Sequence, residues 1–566
     1  MWSACCWLLM LLRLRAVRGV WARGGGWQRA PATRLLSALL SPPPIDYATA
    51  SRRGTEPLVE LSDNVTRVSL VPKSKFAEFR DKSISAATLR VLNAMGTPLD
   101  KFPGTKLLVL PDAEARHVAF FDDSAILSKL SLDPILGALK SSANRTYAFY
   151  GADEKEELDA PLATALASQH AIRSHRFSFL RSRPSADTSP PASIVWPSQA
   201  DRKAVLALSR ATTLYKDLVD SPALTLGPAQ LSQAAAAIAA EYGAEIDVTT
   251  GVQELIARGY PQVAAVGMAS AEDRAPRVVD FRWAPPGQTL HQTQIPLVTI
   301  VGKGVCFDSG GLNIKGGGGM RQMKKDMAGA AQALALALLI MEHGLAVRLR
   351  VLLPCVENSI SGGALRPGDV IRARNNLTTE IHNTDAEGRL ILADCLVAAC
   401  EEGDGGLPAL VVDFATLTGA ARVALGTELP ALFCNNHTEL LRLFELSQSD
   451  EVNDPVWPLP LWQPYKTALK SSVADLVNAA EGAGAITAAL YLAEFVAPLS
   501  AAAASAKDKG EGEGEGEREG GDAPAATNPT RGVWMHLDFM GTKQGAAEPQ
   551  GMRAVFEYIK RVVVAK

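Results

Sequence analysis

The chain has 566 residues, 47% of them hydrophobic and only 6% aromatic. That length exceeds the roughly 250–300 residues at which one core stops growing, so more than one domain is expected. Lys and Arg total 57 against 60 Asp and Glu, a net of −3, which leaves no global charge to recruit nucleic acid or an acidic membrane as the main partner.

Residues 1–45 hold no acid and six Arg, at 13, 15, 18, 23, 29 and 34. The apolar run 1–12 is too short for a bilayer, which takes about 20 residues, and its arginines follow it, opposite to a secretory signal. An Arg-rich, acid-free leader over 1–47 resembles a mitochondrial presequence; the alternative is an unstructured extension on a cytoplasmic protein. No other stretch could span a membrane. From 48 to 190, apolar strands (65–71, 106–110) alternate with helical stretches, which predicts a small α/β domain. The Ser- and Pro-rich residues 183–194 read as a linker. A helix over 199–219 follows, headed by Asp201 and apolar at Val205, Leu208, Ala211, Leu214 and Leu218, so 191–219 is expected to join the two domains.

Residues 220–566 form the larger domain. Near-continuous apolar runs at 297–301, 347–353 and 410–414 alternate with helices at 329–341 and 390–400. Strands apolar on both faces and separated by helices predict a mostly parallel central sheet flanked by helices. The fold class is α/β throughout, and ligands in such sheets bind beyond the carboxyl ends of the strands. Residues 501–530, with their alternating Glu and Gly, cannot bury enough apolar surface to fold and read as an inert insertion; a strand resumes at 533–539. The seven cysteines (5, 6, 306, 355, 395, 400, 434) form no CxxC pair and are expected as reduced thiols, Cys395 and Cys400 in the core.

Three polar segments interrupt this apolar background. The first leaves a strand as a Gly-rich loop carrying Lys303, Asp308 and Lys315; the second places Asp326 before an Ala-rich helix; the third places Asp385, Glu387 and Arg389 before another. Taken singly, Asp326 and Asp385 read as helix caps and the lysines as solvent-facing. Taken together, Asp385 and Glu387 point to one side of an extended loop, and with Asp308 and Asp326 four carboxylates converge. Such a cluster repels itself unless cations neutralise it, and two divalent ions balance it. Oxygen donors favour Mn²⁺ or Mg²⁺ and accept Zn²⁺. The eight histidines show no HExxH or paired spacing, which disfavours a His-built zinc site, and His382 reads as structural. No phosphate loop or dinucleotide fingerprint is present.

VGKG-x₃-DSGG-x₃-K at 301–315, KDM at 325–327 and NTDAEGRL at 383–390 resemble the leucine aminopeptidase family of dinuclear metallopeptidases, of which the octapeptide is the signature. DFATLTG (413–419), GAITAA (484–489) and WMHLD (534–538) agree, and the likeness covers about residues 200–566. It implies an aminopeptidase that removes leucine and similar apolar residues from peptides with a free N-terminus, through metal-activated water. Asp308 and Glu387 would bridge two metals (Mn or Zn, with Mg or Co also accepted), Asp385 would complete one site, and Lys303 and Asp326 the other. Lys315 would polarise the scissile carbonyl, and Arg389 would hold a bicarbonate acting as general base. Met323, Asn383, Thr416 and Leu417 would lie by the substrate's first side chain, and a hexamer with the catalytic domains inside is implied.

Two departures touch no metal ligand: the turn 221–228 lacks the family's usual Asn, and Lys324 replaces an Arg. The rival readings are another two-metal hydrolase such as a phosphoesterase, and an additional scaffold or nucleic-acid-binding role that the net charge does not support.

Overall fold

A computed structural model of the chain describes residues 192–565 except 292–293, 402–405, 450, 497–498 and 500–531, and before them chiefly 65–95, 106–110, 117–121, 146–150 and 157–175. The Arg-rich leader, most of the Ser/Pro stretch and the Glu/Gly insertion lie outside the described residues. Among the described residues, no helix is long and apolar enough to cross a membrane.

The first sheet has six strands: β1 (Leu58–Val59), β2 (Val65–Pro72), β3 (Lys106–Val109), β4 (His117–Phe121), β5 (Thr146–Tyr150) and β6 (Ser193–Val195). Their order is β1-β6-β5-β2-β4-β3, with every pairing parallel except β3 with β4. Helix α1 (Ala160–Ser174) packs beside it and is capped by Asp159, whose carboxylate accepts the Leu162 N–H at 2.8 Å. Helix α2 (Arg202–Asp220) starts one residue after Asp201, which caps it through the Ala204 N–H at 3.0 Å. Val205, Ala211, Leu214 and Leu218 are buried and Leu208 is half-buried. The apolar stripe therefore serves two partners, since α2 packs against α1 and against a helix of the second sheet.

That second sheet contains β7 (Glu245–Thr250), β8 (Arg277–Trp283), β9 (Leu297–Gly302), β10 (Gly304–Asp308) and β11 (Arg348–Asn358). A small separate sheet pairs β12 (Val370–Arg372), β13 (Thr378–Glu380) and β17 (Leu476–Val477); the main sheet continues with β14 (Leu410–Ala415), β15 (Ala431–Cys434), β16 (Trp457–Pro458) and β18 (Val533–Asp538). The main order is β16-β15-β18-β14-β9-β11-β8-β7, with β10 also on β11. The centre is parallel, while β15 runs antiparallel to β18 and β8 to both of its neighbours. Strand β9 lies between β14 and β11, so the strand order reverses about it, and in such sheets ligands bind beyond the carboxyl ends at the reversal.

Central strands β14 and β18 are buried at every residue because helices cover both faces. On one side lie α3 (Pro228–Glu241), α4 (Ala328–His343) and the C-terminal helix α7 (Met552–Tyr558); on the other lie α5 (Gly388–Cys400) and α6 (Gly484–Ala493). Residues 328–341 of α4 are all buried, as expected of a helix with no polar face. All five cysteines among the described residues are free and buried, Cys395 and Cys400 included.

Candidate metal centre

Lys303 sits in the single-residue break between β9 and β10. Its N–H donates to Phe414 O at 2.9 Å and its carbonyl accepts from Ala330 N at 2.8 Å, so the start of α4 and the end of β14 hold its backbone. The residue is 2% exposed. Its ammonium donates to Thr416 O at 3.0 Å and pairs with Asp326 at 2.8 Å and Glu387 at 3.0 Å. A methyl on Gly388 would come within 2.8 Å of the Lys303 Nζ and 2.7 Å of its Cε, so the absent side chain at 388 makes room for this lysine.

Asp308 ends β10 opposite Asn358, the last residue of β11. Asn358 Nδ2 donates to its Oδ1 at 2.9 Å, as does the Gly310 N–H, and Lys315 Nζ lies 2.8 Å from Oδ2. The same ammonium lies 2.5 Å from Asp385. Oxygens of Asp308, Asp385 and Glu387 all fall within 4.8 Å of one another, and the Lys303 ammonium ties Asp326 to them through Glu387.

Neither Asp326 nor Asp385 caps the helix that follows it. The N-cap positions are Met327 for α4 and Glu387 for α5, neither with a side-chain cap bond, and the Asp326 carboxylate instead accepts from Thr416 Oγ1 at 2.8 Å. Nor is the third segment extended. Residues 384–385 form a turn and Glu387 is already helical in φ and ψ. Asn383 Oδ1 accepts the Asp385 N–H at 2.9 Å, and Asn478, wholly buried, accepts the His382 and Asn383 N–H groups and donates to Asn383 O at 2.6 Å. Convergence of Asp385 and Glu387 is thus made by a turn, and Asn478→Ala is expected to cut kcat by roughly tenfold with KM and fold retained, since two part-buried N–H groups and a carbonyl lose their partner; a steady-state assay with circular dichroism checks this.

The electrostatics are those of too little positive charge. Burial and then the Asp308 charge push the Glu387 carboxyl up to about 8, and burial raises Asp326 and Asp385 as well. Burial alone would lower the Lys303 and Lys315 ammoniums, yet the surrounding carboxylates outweigh it and hold both above the ordinary lysine range. Glu387 Oε2 is buried with no hydrogen-bond partner. Four carboxylates against two ammoniums in a buried pocket, with an unpartnered oxygen among them, is a donor set that fits hard divalent cations.

Arg389, in the first turn of α5, is 7% exposed with Nε and Nη1 unpartnered, and burial lowers its pKa. Met323 opens the turn that ends at Asp326, whose N–H donates to its carbonyl at 3.3 Å. Leu417 and Thr418 donate their N–H groups to Asp538 at 3.0 and 3.1 Å. Met323 and Thr416 thus bond to Asp326, Asn383 bonds to Asp385, and Leu417 is held by Asp538 next to Thr416; His382 pairs with Glu380 at 3.3 Å. Sequence reasoning gave no role to Asn313, Asn358, Asn478 or Asp538. Asn313 exchanges hydrogen bonds with Thr384 over a separation of 71 residues; no spacing rule reaches that far.

The catalytic-domain profile of the cytosol aminopeptidase family matches residues 213–557. The chain belongs to that family. A probable cytosol aminopeptidase of Leifsonia xyli is 37% identical over 404 residues, 70% of this chain and 73% of that protein. One of Nitratidesulfovibrio vulgaris is 44% identical over 292 residues, 51% of this chain and 55% of that protein. Among solved structures, the cytosol aminopeptidase of Coxiella burnetii matches with a TM-score of 0.72 at 33% identity, covering 89% of this chain and 99% of that one. The bottromycin maturation enzyme in complex with Mn matches at 0.67 and 28% identity, over 88% and 99%. As a family member the protein is a metal-dependent aminopeptidase of α/β fold that acts on peptides.

Proposed function

We propose that this aminopeptidase works with two divalent cations that Lys303, Asp308, Asp326, Asp385 and Glu387 would hold, and that it removes leucine and similar apolar residues from free N-termini. The observation that carries the reading is the buried excess of carboxylate over ammonium. When bound, such ions polarise a peptide carbonyl and lower the pKa of water enough for attack near neutral pH. Lys303 then serves as a neutral amine, because a neighbouring dication disfavours its proton. Lys315, 18% exposed, reaches the open side of the pocket and steadies the negative charge that grows on the carbonyl oxygen. Arg389, with Nε and Nη1 unpartnered, would hold bicarbonate through its planar fork, and that anion would supply a general base beside the carboxylates. Met323, Asn383, Thr416 and Leu417 surround the first side chain.

Mn²⁺ or Zn²⁺ suits these donors, with Mg²⁺ and Co²⁺ as weaker choices. Metal-depleted protein reconstituted with each ion in turn is expected to regain leucine-amide hydrolysis with Mn²⁺ or Zn²⁺; full activity after thorough chelation rejects the proposal, and an N-acetylated substrate should stay intact throughout. Lys315→Ala should lower kcat by roughly 10²-fold or more while metal content, read by mass spectrometry, stays at two per chain. Loss of metal with normal turnover per remaining site would move Lys315 into a structural role.

The reading extends to a homo-hexamer in the cytoplasm, with the 1–47 leader as a mitochondrial address in the alternative, and to two domains, 48–190 and 220–566; β6 (Ser193–Val195) adds to the first, so the expected connection over 191–219 shortens to the part after it, chiefly α2. Nucleic acid and membrane are not partners in it. Light scattering that returns the mass of one chain removes the hexamer.

A further inference from the structure

Away from the metal centre, α1 and α7 face each other across a cavity of about 510 Å³ floored by α2, within the range of small-molecule sites. We propose that this cleft is a second binding site, for a small organic carboxylate with an apolar body. No residue assigned to the metal centre lines it, so the inference stands apart from the reading above.

Its walls are apolar: Ala165 and Ile172 from α1, Leu208 from α2, Leu339 from α4, and Phe556 from α7. The sign of the ligand comes from which charges on the lining are already spent. Asp201 caps α2 through Ala204 N. Asp454 accepts the Gly551 and Arg553 N–H groups at 2.9 and 2.8 Å, where a helix N-terminus stabilises a carboxylate. Glu451 pairs with Arg561 at 2.7 Å, Glu557 with Arg561 at 2.8 Å and with Lys560 at 3.4 Å, and Glu548 lies 3.8 Å from Lys216. Every acid on the lining therefore has a partner. Two cations do not: Lys543 has no ion pair or side-chain hydrogen bond among the described residues, and the half-buried Arg553 guanidinium makes one contact, to Glu451 O at 3.3 Å, and no ion pair.

Burial lowers the Arg553 pKa and outweighs the Asp454 and Glu557 charges nearby. Gln169 lines the same cleft with a buried side-chain oxygen that lacks a partner, and its amide can turn to offer N–H instead. A carboxylate would take the free guanidinium donors and the Lys543 ammonium, while an apolar body would cover Leu208, Leu339 and Phe556.

Calorimetric titration of the full-length, metal-loaded protein with decanoate and, separately, with N-acetyl-leucyl-leucine tests this. Both carry a carboxylate on an apolar body, and neither has a free amine for the aminopeptidase to act on. Saturable submillimolar binding of one molecule per chain is expected for at least one, and the tighter of the two names the natural source as acyl chain or peptide C-terminus. The matching amides should bind at least ~10-fold more weakly, and Arg553→Gln and Lys543→Gln should each cost ~10-fold. If Arg553→Gln does not fold, Lys543→Gln carries the test alone. No saturable binding at millimolar probe, equal binding of the amides, binding unchanged in the folded variants, or displacement by leucine amide overturns the proposal.

Discussion

Glu387→Ala is expected to lower kcat/KM for leucine amide by roughly 10³-fold or more, with the fold retained. The size follows from what the carboxylate is placed to do: it lies against Lys303 at 3.0 Å on one side and within 4.8 Å of Asp308 and Asp385 oxygens on the other. On the reading given above Glu387 would be shared by both cations; removing such a donor costs several kcal/mol of transition-state stabilisation, and each 1.36 kcal/mol is tenfold in rate. The fold survives because Lys303 keeps Asp326 at 2.8 Å and Thr416 O at 3.0 Å, so no buried ammonium is left alone. Asp385→Ala should behave alike, as Lys315 retains Asp308. Steady-state kinetics, metal stoichiometry and circular dichroism together decide it. Wild-type turnover in either variant, or unchanged metal content in both, would remove these residues from the metal set.

Gly329→Ala is expected to destabilise the protein by about 3 kcal/mol, near the top of the range for overpacking a core. A Cβ at 329 would stand 2.1 Å from Phe414 O and 2.8 Å from Lys303 N. Both neighbours are backbone, held by the Lys303 N–H to Phe414 O bond itself, so no side chain can swing aside. Helix α4 would have to lift from β9 and β14, and Lys303 and Asp326 flank that contact. Thermal unfolding should therefore shift down together with a loss of activity. A variant as stable and as active as wild type would mean that the helix relaxes without cost. Gly388→Ala tests the gentler case, because there the obstacle is the Lys303 side chain and not backbone.

Most of the architecture was legible before any coordinates. The runs at 297–301, 410–414 and 533–539 became β9, β14 and β18, and the run at 347–353 became the longer β11. The helix expected over 199–219 spans Arg202–Asp220, starting three residues later because Asp201 caps it. A strand buried on both faces must be apolar at nearly every position, and that constraint is written locally. The carboxylates were legible for a similar reason: acids and lysines in loops between buried strands stand out against an apolar background.

What local pattern could not reach was how those acids are held. The sequence read Asp326 and Asp385 equally well as caps, and read 383–387 as extended; in the fold, Thr416 and Lys303 claim Asp326, and Asn478 folds the 383–387 segment into a turn from 95 residues away. Asn358 and Asp538 lie at strand ends, where polar residues are ordinary, and only the sheet order places one against Asp308 and the other against the loop after β14. Hydrophobic period and residue chemistry thus determined the elements and the donors. Which donors meet was decided by strand order and by buried amides that must find partners, because a hydrogen bond between distant residues leaves no periodic trace in the chain.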